Sequence, residues 1–221
     1  MSSTADRVVR RWSTGRASTR AYALTIRHER LYRLLSRVVW GSDVRSFHDG
    51  IAALAAVPAG SSVLDVPCGG GVAFRGLDPG VPVRYVAADA SPFMLDRARA
   101  EAARRGLKDI EYVETGVVDM PFEDGAFDLC VSFHGLHCFT DPAAALREMG
   151  RVLRPGGELR GTAVVNDGHA LSRLVIAHFR RSEEFGRPMR ADDVRRWLAG
   201  AGFTEPSLDR QGAYLAFSAR R

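Results

Sequence analysis

From Gly60 onward, short apolar runs alternate with stretches of helical periodicity, and that alternation leaves few folds open. Strands are predicted over 61–66, 83–88, 110–114, 127–133 and 157–165. Runs apolar on both faces need helices on both sides, as in a parallel sheet built from βαβ units. The intervening helices mark their own starts. Ser91 before Pro92, and Asp141 before Pro142, each pair an N-capping side chain with a proline at the first helical position, where no amide hydrogen is needed. Arg154-Pro155-Gly156-Gly157 reads as the end of the second of these helices and the turn into the next strand. An insertion at 168–200 carries two further helical patterns. Thr204 to Ala219 reads as two antiparallel closing strands joined at Gln211-Gly212.

Ahead of this body, residues 1–19 are rich in Ser, Thr and Arg and read as a flexible tail, a composition that would also describe a transit peptide. Residues 20–58 read as a helical cap or lid. Leu24, Leu31, Leu35 and Val38 recur at helical spacing beside a stripe of Arg27, Arg30, Arg33 and Arg37, which predicts an amphipathic helix over about 21–39. A second helix over about 42–57 should stop at Pro58-Ala59-Gly60. Tyr22, Tyr32, Trp40 and Phe47 on this arm are candidates for closing over a site. The arginine stripe is a solvated face or an attractor for an anionic substrate or acidic membrane surface. The net charge of +5 sits in the arm: residues 1–50 hold ten arginines against four acids, so the remainder sums to −1. A near-neutral body argues against a broad nucleic-acid grip. With no long apolar run there is no integral membrane segment. Cys68, Cys130 and Cys138, without C-x-x-C spacing, indicate neither a disulfide framework nor a zinc site. The expectations are a cytoplasmic protein without a metal, and, from thirty arginines against the single Lys108, a bacterial source with GC-rich codons.

The body, 59–221, places its chemistry at the first strand's end. Val63-Leu64-Asp65-Val66 runs into Pro67-Cys68-Gly69-Gly70-Gly71, a turn that lets the backbone approach a ligand and aims helix N-terminal amides at it. The second strand ends in Asp89, about 20 residues beyond, where a carboxylate can accept both ribose hydroxyls. A dinucleotide fingerprint would need glycine where Phe74 stands, and Asp65 would repel a pyrophosphate. A ligand with a cationic amine suits that acid better.

These segments, in order, resemble class I S-adenosylmethionine-dependent methyltransferases. Val63 to Gly71 is similar to their first motif, and Ala88-Asp89-Ala-Ser-Pro-Phe-Met-Leu95 to the strand-two acid with its helix. Met120-Pro-Phe122, Gly125-Ala-Phe-Asp128 and Arg151-Val-Leu-Arg-Pro-Gly-Gly157 are similar to the later landmarks. The resemblance covers about 61–165 and is closest to the small-molecule branch of ubiquinone and menaquinone C-methyltransferases and natural-product tailoring enzymes. It implies a Rossmann-like α/β fold with a seven-stranded, mostly parallel sheet, helices on both faces and an N-terminal helical cap. It also implies S-adenosylmethionine as cofactor and a small organic acceptor methylated at O, N or C. The cofactor would be held by Asp65, Pro67, Cys68, Gly69, Gly71, Asp89, Ala90, Met94, Gly116, Val117, Val118, Phe133 and His134, with Phe93 adding an apolar wall. Pro67 departs from the usual first glycine, and Glu114-Thr115-Gly116-Val117-Val118 lacks the usual adenine-reading acid, leaving backbone around Val117.

His134 and His137 follow the fourth strand, where methyl and acceptor meet in the resembling family. His134 would line the site, and His137 is the better candidate base. Either one could instead hydrogen-bond the cofactor or shape the pocket, since transfer can rest on proximity alone. Cys138 is the cysteine to examine for reactivity, while Cys68 and Cys130 read as core. His28, His48, His169 and His178 match no metal pattern, and Asp124 and Asp128 read as structural. Phe179, Phe185, Met189 and Trp197 in the insertion are acceptor-wall or core residues. Two other functions fit the same pattern: a nucleotide-dependent oxidoreductase on this fold and a non-catalytic binding protein.

Overall fold

A computed structural model of the chain describes residues 29–221. The tail 1–19, and with it Tyr22, Leu24, Arg27 and His28, lie outside the described residues. Among those described, two helices, α1 (Glu29–Trp40) and α2 (Arg45–Ala52), precede strand β1 (Ser62–Asp65). Then follow β2 (Arg84–Asp89), α3 (Pro92–Arg105), β3 (Ile110–Glu114), β4 (Phe127–Phe133), α4 (Pro142–Val152) and β5 (Leu153–Val164). The insertion supplies α5 (Ala170–Arg181) and α6 (Ala191–Gly200), and β6 (Thr204–Gln211) and β7 (Tyr214–Arg220) close the chain.

The seven strands form one sheet in the order β3-β2-β1-β4-β5-β7-β6, the first five parallel. Apolar clusters cover both faces. One gathers Leu64, Val86, Cys130, Leu146 and Met149, and the other Val63, Phe74, Tyr85, Val131 and Phe133. Both proline-headed helices start as their residues dictate, Ser91 Oγ accepting from Met94 N at 3.3 Å and Asp141 Oδ1 from Ala144 N at 2.9 Å. β1 sits at the centre, between β2 and β4, and the chain reverses its winding between β1 and β4. In open α/β sheets that switch point opens the ligand crevice at the strands' carboxyl ends.

Three expectations are corrected. The fifth strand begins at Leu153, not 157: Leu153 pairs with Phe127 and the register then slips, so Arg154 to Gly157 form an irregularity inside the strand. The C-terminal Arg221 holds that stretch, since Gly156 N donates to its carbonyl and Arg221 N donates to Gly157 O at 2.8 Å. Of the two closing strands, only β7 opposes the sheet. It is hydrogen-bonded antiparallel to both β5 and β6, so β6 again runs with the parallel set. The second helix is shorter than 42–57. It starts after Val44, held at φ 51°, and passes into a 3-10 turn, Ala53–Ala56.

The cap is fastened to the β6–β7 turn, beside the carboxyl end of β5. Ala213 N donates to Trp40 O at 2.7 Å, and Ser42 Oγ donates to Gln211 Oε1 at 3.3 Å. Helix α1 also packs on α5. Its leucine stripe faces away from the body: Leu31, Leu35 and Val38 are exposed, and Tyr32 and Ser36 are buried instead. Arg33 and Arg37 reach toward Asp43 at 3.4 and 3.8 Å.

Candidate active site

At the sheet's switch point the backbone after β1 is shared between its neighbours. Val66 N donates to Val131 O of β4, and Cys68 N donates to Ala88 O of β2, both at 2.9 Å. The turn between them therefore lies across the tips of three strands. Gly69 (φ 52°) and Gly71 (φ 77°) both occupy the left-handed region, which glycine enters without steric cost. A methyl group at Gly71 would sit 2.6 Å from the Phe74 ring, whereas the same position at Gly69 has no atom within 4 Å. Phe74 thus fills the space where a dinucleotide turn needs glycine, and the backbone at Gly69 stands open.

Asp89 ties turn to helix. Its Oδ2 accepts from Gly69 N and its Oδ1 from Ser91 N, each at 2.9 Å. Burial pushes its carboxyl up to about 6, against the lowering effect of those two amides. Asp65 lies deeper, sealed beneath the turn, with Oδ2 accepting from Tyr85 Oη at 2.9 Å. Burial raises it to about 8, the Tyr85 hydroxyl opposes that, and the Asp89 charge adds to it. A cation arriving above the turn would favour ionisation of both acids.

Pro67 packs face to face with the segment after β4. A Cβ at Gly135 would lie 2.3 Å from Pro67 Cδ and 2.5 Å from Ser132 Oγ, a buried hydroxyl with no hydrogen-bond partner. Glycine at 135 is what admits the proline ring. His134, immediately before it, has φ 58°, and its N–H donates toward both Thr162 O and Thr162 Oγ1, at 3.0 and 3.1 Å. This pins an unfavourable conformation for a side-chain-bearing residue and throws the imidazole toward the cap. There the ring stacks on Phe47 with centroids 4.4 Å apart, and Nε2 lies 2.9 Å from Tyr214 Oη and 3.3 Å from Tyr32 Oη. Burial and the neighbouring His137 and His48 hold His134 well below the usual histidine range.

His137 is placed differently from a free base. Its Nδ1 accepts the Val164 N–H at 3.1 Å, so in the neutral ring Nε2 carries the proton, and burial lowers its pKa to about 3. The lone pair that a base would use is already engaged. It lines a shallow cleft with Ile176, Phe185 and Met189, and Arg180 and Arg187 stand at the same cleft. Phe179 stacks on Phe185, whereas Trp197 packs against the sheet's core. Burial pushes the Cys138 thiol up to about 12, with Asp89 and Glu184 adding to the effect, which disfavours its thiolate. Cys68 and Cys130 are buried.

Of the other expected residues, Met94 is buried in the first turn of α3, Ala90 borders Asp89, and Gly116, Val117 and Val118 follow β3 with Val118 exposed. The turn and Asp89 come together; Asp65 sits behind them, not among them. His169 caps α5 and His178 is exposed on it, while His48 lies against Phe47 at 5.2 Å. Asp128 accepts from Ser62 N at 2.7 Å and pairs with Arg154, and Asp124 pairs with Arg151. Among the described residues no group of three His, Cys, Asp or Glu side chains could hold a metal ion. Two contributors were not evident in the chain's motifs. Arg97 lies over the Phe93 ring and brings its Nε within 3.6 Å of the Cβ position at Gly70. Tyr214, far away in sequence, reaches His134. Arg97's place one turn after Pro92 was a usable signal, but Tyr214 offered none.

The sheet order, the open glycine turn and the acid at the tip of the second strand define a Rossmann-like fold with a ligand crevice at its switch point. Residues 64–160 match the family described as "Methyltransferase domain". The chain is similar to a demethylmenaquinone methyltransferase of Thermus thermophilus, 38% identical over 60% of this chain and 59% of that protein. It is also similar to a ubiquinone/menaquinone biosynthesis C-methyltransferase of Hahella chejuensis, 43% identical over 47% of this chain and 43% of that one. Thus the chain spans three fifths or less of the length of these curated relatives. Its fold is similar to geranyl diphosphate C-methyltransferase from Streptomyces coelicolor, with TM-score 0.66, 14% identity, 80% of this chain and 76% of that chain covered. Residues 64–160 thus resemble a methyltransferase domain, and the chain is similar over that central stretch to methyltransferases named for quinone substrates.

Proposed function

We propose that this protein moves a methyl group from S-adenosylmethionine to a small organic acceptor, quinone-like or natural-product-like. The observation that carries the reading is Asp89, held by Gly69 N and Ser91 N beside the open turn. The residues fit the cofactor: the space at Gly69 admits a ligand against bare backbone, and Asp89 is oriented with lone pairs left for the ribose hydroxyls. Asp65, Pro67, Cys68 and Gly71 shape the bed for the methionine portion, and Arg97 offers a cation to its carboxylate. Ala90, Met94, Gly116, Val117 and Val118 would surround the adenine. When bound, the cofactor supplies an electrophilic methyl on a sulfonium.

The chain's own part is alignment and exclusion of water. Phe133 and His134 stand at the tip of β4 beneath the cap, with Tyr32, Phe47 and Tyr214 enclosing the imidazole. Held neutral by burial and engaged at Nε2 by Tyr214 and Tyr32, His134 shapes the acceptor side of the site. His137 is fixed by Val164 and shapes the cleft. The relatives named for quinone substrates and the neighbour named for geranyl diphosphate support an apolar acceptor. The near-neutral body supports such an acceptor over nucleic acid, and three unpaired cysteines support a reducing compartment such as the cytoplasm.

Calorimetric titration with S-adenosylmethionine, and separately with NAD and NADP, tests the cofactor. Incubation with reduced quinones and phenols, scored by S-adenosylhomocysteine formed, tests the reaction. Binding of the dinucleotides alone would refute the proposal, and cofactor binding without turnover on any acceptor would favour a non-catalytic role.

A further inference from the structure

Helix α1 presents Leu31, Leu34, Leu35 and Val38, spaced i, i+3, i+4, i+7, and all four are exposed, Leu34 by 58% and Val38 by 59%. That spacing ordinarily marks a face turned to a core. Here the core side is taken by Tyr32 and Ser36, and the apolar stripe points outward. On α5, against which α1 packs, Leu171 and Leu174 are exposed as well, Leu174 by 68%. Six large apolar side chains on two adjoining helices are more than scattered surface residues, and such a patch marks an interaction surface.

The charges beside it choose the occupant. Arg33, Arg37 and Arg45 gather at the foot of α1, 3.4, 3.8 and 3.8 Å from Asp43. Arg173, Arg180 and Arg181 are exposed on α5, and Asp49 and Glu183 are exposed acids nearby in the chain. A second copy related by a two-fold axis would set this basic surround against itself. An anionic bilayer complements it, since leucines enter the headgroup boundary while arginines meet lipid charge.

We propose that the outer face of α1 and α5 docks this protein on anionic lipid membranes as a peripheral protein. No described helix is long and apolar enough to cross a membrane, so the attachment is reversible and salt-sensitive. This inference does not depend on the identity of the methyl acceptor. It would place the cleft lined by Ile176 and Arg180 of α5 beside the lipid surface, where apolar acceptors partition.

The test is flotation of the full chain with vesicles of equal parts phosphatidylcholine and phosphatidylglycerol, against phosphatidylcholine alone, with and without added salt. The expected result is binding to the anionic vesicles that falls with salt. Leu34→Glu with Leu174→Glu, and separately Arg37→Glu with Arg45→Glu, should each lower the partition coefficient on the order of tenfold or more. These residues lie on the surface away from the glycine turn, so cofactor affinity should stay unchanged and report an intact fold. Absence of binding to anionic vesicles overturns the proposal, as does binding equal on neutral ones or indifferent to the Leu34/Leu174 pair. A lipid-free dimer abolished by that pair would overturn it in favour of a second copy.

Discussion

Replacing Gly135 by alanine probes whether the proline in the glycine turn is accommodated by a partner across the site. The added Cβ would meet Pro67 Cδ at 2.3 Å and Ser132 Oγ at 2.5 Å. The serine hydroxyl can rotate away at small cost, but the ring Cδ cannot, because proline fixes its own φ. Gly135 itself has φ −91°, a conformation open to alanine, so the penalty comes from overpacking and not from backbone strain. Overpacking of this kind costs about 1–3 kcal/mol. Taking about 2 kcal/mol, the melting temperature of a domain this size should fall by about 4–8 °C. Relief by Pro67→Gly is the decisive arm. That change alone has its own cost, which the cycle measures and subtracts. Combined with Gly135→Ala it removes the clashing atoms, so the double variant should be more stable than additivity predicts by on the order of 1–2 kcal/mol. Chemical denaturation of the four proteins gives the cycle, and calorimetry should show weakened cofactor binding in Gly135→Ala, because a displaced Pro67 shifts the turn at Gly69. Additivity within about 0.5 kcal/mol would refute the reasoning.

Three further outcomes are expected. Asp89→Asn places an amide against one of two backbone donors, so it should cost about 1–3 kcal/mol in denaturation and weaken S-adenosylmethionine at least about tenfold in titration; unchanged affinity would remove Asp89 from the site. Arg151 donates to the carbonyls of Met120 and Phe122 and to Glu148 and Asp124, pinning the segment before β4. Arg151→Ala should therefore cost about 2–3 kcal/mol, and Arg151→Lys, lacking the planar fork, should recover little of it in melts. His137, held near 3 when folded against about 6.5 unfolded, binds fewer protons folded, so its contribution is full above about pH 6.5 and is lost as pH falls toward 3. Asp65 and Asp89, raised to about 8 and 6, act oppositely, stabilising as pH falls through those values. The difference between wild type and His137→Gln across pH 4–7 isolates the histidine, and a flat difference would show that it is not neutral when folded.

Much of the scaffold is local in origin, and so was visible in the chain. Ser91-Pro92 and Asp141-Pro142 cap their helices within three residues, and the strands from β1 to β4 are short apolar runs whose limits fall within a residue of those expected. The span of β5 was misjudged because Arg154 to Gly157 read locally as a turn; pairing of Gly156 and Gly157 with Arg221 keeps them in the strand. Asp89 was recognisable because spacing from a glycine turn is a one-dimensional signal. Its use of Gly69 N and Ser91 N was not, since that requires two strand tips to be set side by side.

The chain's own order of residues decided that this is a parallel α/β protein with a glycine turn, an acid near its centre and a second acid one strand away. Those features depend on periodicity, capping and backbone preferences acting over a few residues. Only the tertiary structure decided which groups meet. It sealed Asp65 under the turn, engaged the lone pair of His137 with Val164, and brought Tyr32, Phe47 and Tyr214 around His134 from opposite ends of the chain. It also turned the leucine stripe of α1 outward, because helical spacing establishes that a face exists, and packing establishes which side of it the protein covers.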